Sequence, residues 1–266
     1  MENLESITSS LPERERRVFT QILPSLLGER ELSDYSDEEM SDLGFSIDAV
    51  LTLAWDFGVW REPFEKIKLL ICEALRNRRQ SSIKGIYVIV DPGATEARPV
   101  LDVASDALNG GVSVVQYRDK DNDRAVFLEN AFALKELCES SGATFVVNDA
   151  VDVARLVGAP FLHVGQSDLG IKDAREILSS EQCVGRSNNG VAEAQESEGQ
   201  GADYLAVGAV YSTSTMGKSG RTAVGASTLV QVKNGTCIPV VAIGGIDGSN
   251  ISEVRNTGVD CACVVS

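Results

Sequence analysis

Two cations and an amide follow a short apolar run, and they are the first sign of chemistry in this chain. Residues 111–115 read GVSVV, and residues 116–120 read QYRDK. The apolar run predicts a buried strand, and side-chain alternation places Gln116, Arg118 and Lys120 on one side of its carboxyl end. These groups suit a phosphate or pyrophosphate, although a solvated charge cluster explains them equally well when they are taken alone.

Carboxylates follow the next two apolar runs. Asn148 is the last residue of the run TFVVN and Asp149 follows it directly, whereas Asp168 comes four residues after the run FLHV. Two carboxylates beside a phosphate site are ligands that Mg²⁺ uses together with substrate oxygens. On its own, each acid fits a helix N-cap as well. Their positions after successive strands favour a magnesium site.

A parallel barrel would bring these groups together. From residue 85 onward, apolar runs alternate with helical patterns at a spacing of about 25 residues, which is typical of an α/β fold of the (β/α)8 TIM-barrel type. A doubly wound sheet rarely needs eight uninterrupted repeats. The predicted strands are 85–90, 112–117, 144–148, 161–164, 183–185, 204–207, 238–243 and 260–265.

The first part of the chain has a different pattern. Helix signals begin near residue 10, at residues 36–39 and at residue 63, and residues 80–82 (QSS) suit a linker. We therefore expect a small all-α N-terminal region at 1–82 and a barrel at 83–266. Only Ser266 follows the eighth strand, so the final helix is missing. We expect either a truncated chain or N-terminal helices that cover the gap.

Composition narrows the function classes. The formal net charge of −15 opposes non-specific nucleic-acid binding. No run of 18 apolar residues and no leader pattern is present, so we expect no membrane partner. Six cysteines without CxxC spacing and a single histidine argue against zinc. A cytoplasmic enzyme is the expectation; an organellar location and a homo-oligomeric assembly are left open.

Further ligand groups follow the later strands, where barrels of this type carry their sites. A hydroxyl-rich segment, 211–215 (YSTST), follows the sixth strand and is typical of a surface loop or of an anion site. Gly244 and Gly245 follow the seventh strand, and their backbone amides can approach a phosphate closely. The eighth strand ends in Val265-Ser266.

These motifs, taken in order, resemble those of the thiamine-phosphate synthase family over residues 85–266. The matching segments are QYRDK (116–120), ND (148–149), HVGQSD (163–168), GRS (185–187), STST (212–215), AIGGI (242–246) and VVS (264–266). The resemblance implies a transferase of thiamine biosynthesis. Such an enzyme joins hydroxymethylpyrimidine diphosphate to a thiazole phosphate, in its plain or carboxylated form, with Mg²⁺ as cofactor and release of pyrophosphate.

The resemblance also implies roles for individual residues. Catalysis would fall to Arg118, Lys120, Ser187 and Lys218, and Asp149 and Asp168 would hold the metal. The pyrimidine diphosphate would be bound by Gln116, Tyr117, Arg118, Asp119, Lys120, Asn148 and Ser187. The thiazole phosphate would be bound by Thr213, Ser214, Thr215, Gly244, Gly245, Val265 and Ser266. His163 is interpreted as a packing or supporting residue.

The sequence departs from the family pattern in the loop after the sixth strand. Met216 stands where the family usually has lysine, and we expect Lys218 to substitute for it in part. Ala209 stands where proline is usual. Arg186, beside Ser187, is either an added phosphate contact or a surface residue.

Two other functions remain compatible with the motifs. One is a thiazole tautomerase-like relative, which Met216 favours and the complete QYRDK segment opposes. The other is a non-catalytic protein that binds a thiamine precursor through the barrel and a partner through its N-terminal helices.

Overall fold

The computed structural model describes residue 13 and residues 34–53, 61–213 and 223–265. Ser214, Thr215, Met216, Lys218 and Ser266 therefore lie outside the described residues, as does most of the helix expected from residue 10. The chain divides into two compact units, Met1–Asn77 and Arg78–Ser266. None of the described helices is long and apolar enough to span a membrane.

The N-terminal unit contains two described helices, α1 (Asp37–Leu53) and α2 (Arg61–Gln80), of which α2 continues into the second unit. A reciprocal pair of hydrogen bonds begins α1: Glu39 N donates to Ser36 Oγ over 3.2 Å, and Ser36 N donates to Glu39 Oε2 over 2.8 Å. This capping box satisfies two amides that the first turn leaves free. The apolar faces of the two helices meet in a buried cluster that includes Met40, Ile47 and Ile71.

The second unit is a closed barrel of eight parallel strands, each paired with its neighbours in chain order. This confirms the predicted (β/α)8 fold. The strands are β1 (Gly85–Val90), β2 (Val114–Tyr117), β3 (Thr144–Asn148), β4 (Phe161–Val164), β5 (Cys183–Asn188), β6 (Tyr204–Gly208), β7 (Val240–Ile243) and β8 (Cys261–Val265).

Within the described residues, a helix follows each of the first seven strands. These helices are α3 (Val100–Asn109), α4 (Arg124–Ser140), α5 (Val151–Val157), α6 (Ile171–Ile177), α7 (Val191–Gly199), α8 (Ala226–Gly235) and α9 (Ile251–Asn256). Apolar side chains on the outer face of the strands pack against these helices and form one buried cluster with them.

The observed bounds differ from the sequence expectation mainly at β5. We expected a weak strand at 183–185, but β5 runs to Asn188 and pairs with β6 as far as Asn188–Val207. Polar residues 186–188 had indicated a strand end. In a barrel of this type, the carboxyl ends of the strands form the mouth, where binding sites lie. Polar side chains are therefore common in the last residues of a strand, and they do not mark its end.

The lumen has an apolar lower half. Ile83 is 1% exposed and packs in the inner cluster with Phe161 and Cys183. The two largest side chains of that cluster are Tyr87 and Tyr204. The lumen is therefore filled from its floor to the level of these two tyrosines.

The ring of Tyr204 occupies space that Gly185 leaves free. A Cβ atom built on Gly185 would lie 2.0 Å from Cζ of Tyr204. The glycine is therefore required for the ring to lie in the lumen.

Candidate active site

A buried acid at the end of β1 holds the first cation of the QYRDK segment. The Arg118 guanidinium donates to Oδ2 of Asp91, which is 5% exposed. The other carboxylate oxygen of Asp91 accepts from the Gly93 amide over 2.9 Å. Arg118 is thus held at the mouth, between β1 and β2.

Lys120, Asp149 and Asp168 lie together at the ends of β2, β3 and β4. The Lys120 ammonium is 3.0 Å from Oδ2 of Asp149. Burial raises the pKa of Asp168, and the charge of Asp149 and a hydrogen bond with it raise that pKa further. The cluster therefore holds two carboxylates that repel each other, balanced in part by one lysine.

Neither aspartate caps a helix through its side chain. The residue before α5 is Ala150 and the residue before α6 is Gly170, and no side-chain hydrogen bond caps either helix. Asp149 has a φ angle of 57°, in the left-handed region that few non-glycine residues adopt. Oδ2 of Asp168 accepts from the Gly165 amide over 3.1 Å. The N-cap alternative is therefore not what the structure shows.

Two further members of the QYRDK segment have their own partners. Tyr117 is buried on the outer face of β2, packs edge-on against Phe127, and donates to Oδ2 of Asp119 over 2.7 Å. Burial and the bond to Asp119 raise the pKa of Tyr117. Burial alone would raise the pKa of Asp119, but hydrogen bonds from Asn122 and Tyr117 outweigh it and lower that pKa. Tyr117 points away from the lumen, whereas Asp119 lines a cavity that Lys120, Asp149 and Asp168 also line.

A chain of hydrogen bonds crosses the lumen from β2 to β5. Gln116 Nε2 donates to the hydroxyl of Tyr87 over 2.7 Å, and that hydroxyl lies 3.0 Å from the hydroxyl of Tyr204. Nδ1 of His163 is 2.9 Å from the Tyr204 hydroxyl, and its Nε2 is 2.9 Å from Oγ of Ser187. Gln116 and Ser187, both predicted site residues, are thereby connected.

Two cavities at the mouth collect most of the predicted residues. One is lined by Lys120, Asn148, Asp149 and Asp168. The other is lined by Ser187, Thr213, Gly244, Gly245 and Val265. The site residues therefore separate into an acidic and cationic side and a glycine-lined side.

The glycines on the second side permit a close approach of two loops. Gly244 has a φ angle of 101°, and a Cβ on it would lie 2.5 Å from Cβ of Ala209. Gly245 has a φ angle of 66°, and a Cβ on it would lie 2.7 Å from the carbonyl oxygen of Ser212. Both positions require glycine, for conformation and for space.

Comparison with known proteins agrees with this geometry. The family model described as thiamine monophosphate synthase matches residues 86–266. The chain belongs to the thiamine monophosphate synthase family. This confirms the family that the motifs had indicated.

Individual relatives of that family are similar over the same region. A thiamine-phosphate synthase of Clostridium acetobutylicum is 39% identical over 181 residues, which are 68% of this chain and 85% of the relative. One of Nostoc sp. is 40% identical over 180 residues, 68% of this chain, and the match spans only half of that longer protein. The solved thiamine phosphate pyrophosphorylase of Pyrococcus furiosus has a TM-score of 0.64 at 35% identity, covering 71% of this chain and 88% of that one.

Arg186 has a role that neither expectation described. Its guanidinium donates to the carbonyl oxygens of Leu169 and Gln166, over 3.1 and 3.2 Å. These carbonyls belong to the loop that carries Asp168, one of the two predicted metal ligands of this family member. Arg186 therefore holds the β4–α6 loop in place.

Three residues of the site were missed by the sequence analysis: Asp91, Tyr87 and Tyr204. Asp91 follows the β1 run directly, so the same strand-end argument that selected Asp149 could have found it. Tyr87 and Tyr204 lie inside apolar runs, where an aromatic residue is ordinary core. Only the distances across the lumen reveal their hydrogen bonds.

Proposed function

We propose that this chain is a thiamine-phosphate synthase, which joins 4-amino-2-methyl-5-hydroxymethylpyrimidine diphosphate to 4-methyl-5-(2-phosphoethyl)thiazole and releases pyrophosphate. The observation that carries the proposal is the cluster of Lys120, Asp149 and Asp168 at the mouth of a barrel of this family, with Arg118 two residues before Lys120 in the same segment. Cations and paired acids at one place suit a metal-bound pyrophosphate.

The residues of the first cavity fit Mg²⁺. Asp149 and Asp168 offer hard oxygen ligands, and their mutual repulsion, visible in the raised pKa of Asp168, would be relieved by a divalent cation. Among the described residues, no group of three or more histidine, cysteine, aspartate or glutamate side chains could hold a metal. Mg²⁺, once bound, would stabilise negative charge on the leaving pyrophosphate.

Arg118 and Lys120 would bind the diphosphate and stabilise the charge that develops on it. Arg118 is held by Asp91, so its orientation is set before substrate binds. An electron-rich aminopyrimidine tolerates a cationic methylene, so the bond to the leaving group can break before the new carbon–nitrogen bond forms. This dissociative route needs no nucleophile from the protein, and the thiazole nitrogen supplies the attacking electron pair.

The remaining residues would hold the two organic groups. Gln116 and Ser187, on opposite sides of the lumen, would bind the pyrimidine, with Asn148 beside them. Gly244, Gly245, Thr213 and Val265 line the other cavity and would bind the thiazole phosphate. Ser214, Thr215, Lys218 and Ser266 stay predictions from the family resemblance, as do a cytoplasmic location and a homo-oligomeric assembly.

One assay tests this proposal. Purified protein is incubated with both substrates and Mg²⁺, and thiamine phosphate and pyrophosphate are measured. We expect both products in equal amounts, with turnover lost in Asp149→Ala. A folded protein that binds the thiazole phosphate but forms neither product would contradict the proposal and favour a tautomerase-like or precursor-binding role. If Asp149→Ala kept its activity, the assignment of the metal site would be wrong, but the proposed reaction would stand.

A further inference from the structure

The hydrogen-bonded chain across the lumen has a direction that its chemistry dictates. An amide nitrogen can only donate, so the Tyr87 hydroxyl accepts from Gln116 Nε2. A phenol carries one proton, and the other partner of the Tyr87 hydroxyl is the hydroxyl of Tyr204. Because Tyr87 is buried and has no other hydrogen-bond partner among the described residues, its proton is donated to Tyr204.

The same reasoning continues to the far side of the lumen. Tyr204, having accepted from Tyr87, has its own proton left for Nδ1 of His163. A neutral imidazole that accepts at Nδ1 carries its proton on Nε2, and Nε2 then donates to Oγ of Ser187. Burial raises the pKa of both phenols well above the ordinary value, so each keeps its proton at neutral pH.

The two ends of the chain are left with opposite hydrogen-bonding capacities. The Ser187 hydroxyl accepts from His163, so its own proton is directed to a ligand. Gln116 is 2% exposed, and within the described residues its only side-chain hydrogen bond is the one that its nitrogen donates. Its Oε1 is thus a buried acceptor to which no described residue donates, and a bound ligand could supply the donor.

We propose that Tyr204 is a positioning residue that fixes the proton order of this chain, so that the site presents an acceptor at Gln116 and a donor at Ser187. This inference rests on the proposed function and gives a physical reason for which the site would prefer the amino form of the pyrimidine over an oxo form. Such a ring offers an amino donor and a ring-nitrogen acceptor. A ring with an oxo group in place of the amino group would face the Gln116 acceptor with another acceptor.

The packing around Tyr204 supports this role. The residue is fully buried, its ring lies 5.6 Å from and nearly parallel to the His163 ring, and it is edge-on to Phe161. Gly185 provides the space that the ring occupies. The hydroxyl is thus held where it meets both Tyr87 and His163, and a rotated ring would lose both.

The single histidine of the chain makes the proton order measurable. Long-range ¹H–¹⁵N spectra of the ¹⁵N-labelled wild-type protein would contain one imidazole pattern. At neutral pH we expect a protonated Nε2 and an unprotonated Nδ1, and in Tyr204→Phe a mixture of the two tautomers. An Nδ1-protonated or doubly protonated ring in the wild type would overturn the inference, whether or not the enzyme turns over.

Ligand selectivity gives the second measurement. Binding of the aminopyrimidine diphosphate and of its 4-oxo analogue is measured by calorimetry with Mg²⁺ present. We expect Tyr204→Phe to reduce the preference for the amino form by at least about tenfold. Thr144→Val, which removes a hydroxyl bonded to Ser82 at the opposite end of the barrel, should keep the preference. If folded Tyr204→Phe kept the wild-type tautomer of His163 and the wild-type preference for the amino form, the inference would be wrong and Tyr204 would serve only in packing.

Discussion

The guanidinium of Arg118 and the carboxylate of Asp91 form a largely buried ion pair at adjacent strand ends. Asp91 also accepts from the Gly93 amide, so the acid is fixed at both oxygens. An arginine whose orientation is free stabilises a developing charge less well, because ordering its side chain then costs free energy in the transition state.

Asp91→Asn should therefore lower turnover without removing a substrate contact. Asparagine has nearly the same size as aspartate but no charge, so the ion pair that orients Arg118 is lost. We expect kcat/KM for the pyrimidine diphosphate to fall about tenfold to a hundredfold, measured by steady-state kinetics. Asp106→Asn is the control, because it breaks the Arg98–Asp106 pair, in which both side chains are more than half exposed. Equal effects of the two variants would mean that Arg118 needs no partner.

Asp168→Asn should make the metal-free protein more stable and the enzyme much slower. The amide removes one of two repelling charges, and its oxygen can still accept from the Gly165 amide. Turnover should fall on the order of a hundredfold, because a charge-stabilising ligand is lost. Thermal unfolding in EDTA and activity in Mg²⁺ provide the two measurements. A variant less stable than the wild type in EDTA would argue against repulsion at this pair.

The stabilisation that Mg²⁺ provides should increase with pH. The pKa of Asp168 is raised from 3.8, so the folded protein binds this proton more tightly than the unfolded chain does. The metal-free fold therefore loses stability as pH rises from about 4 through the folded pKa of Asp168, where that carboxyl group becomes charged. Melting temperatures with and without Mg²⁺ should converge at acid pH and separate above it. A separation independent of pH would place the metal elsewhere.

Gly244→Ala should destabilise the fold through contact as well as conformation. The added Cβ meets Ala209 at 2.5 Å, at a φ angle of 101°. Gly111→Ala is a matched control, since its φ angle is 89° and no atom lies within 4 Å of its Cβ. We expect the free energy of unfolding to fall by about 1–3 kcal/mol more in Gly244→Ala. Denaturant titration measures the difference. Similar losses in the two variants would show that the loops can move apart at residue 244 without lowering the free energy of unfolding.

Met216→Lys should increase the rate, and Lys218→Ala should decrease it. The expectation comes from the family pattern, in which a lysine stands at the position of Met216. If Lys218 substitutes in part, its removal costs up to on the order of a hundredfold in kcat, and Met216→Lys restores most of that loss in the double variant. Full activity of Lys218→Ala alone would show that Lys218 has no part in charge stabilisation.

The sequence predicted which residues lie together, because in a parallel barrel every residue that directly follows a strand lies at the same end of the barrel. Lys120, Asp149 and Asp168 lie 29 and 19 residues apart in the sequence, and they meet because each follows a strand at the same end of the barrel. Alternation likewise predicted that Gln116, Arg118 and Lys120 share a side. The family motifs then supplied the chemistry.

Two placements were missed for different reasons: that of Tyr117 follows from strand alternation, whereas that of Tyr204 depends on a residue of another strand. Tyr117 belongs to the QYRDK segment, but its neighbours Gln116 and Arg118 have the opposite parity, so alternation sends its ring to the outer layer. Tyr204 reads as one more apolar position of β6, and nothing in its own segment reveals that Gly185 on β5 makes space for it. A contact between residues of two strands, such as that of Tyr204 with Gly185, can be recognised only in the three-dimensional structure of the barrel.

Ile83 closes the lower end of the lumen, and this determines how molecules move through the site. With its floor filled by apolar side chains, the barrel is a pocket with one opening. On the proposed function, both substrates would therefore enter and both products leave by the mouth. If Gln116 and Ser187 hold the pyrimidine, this substrate would bind before the thiazole phosphate, and pyrophosphate at Lys120 would be the first product to leave.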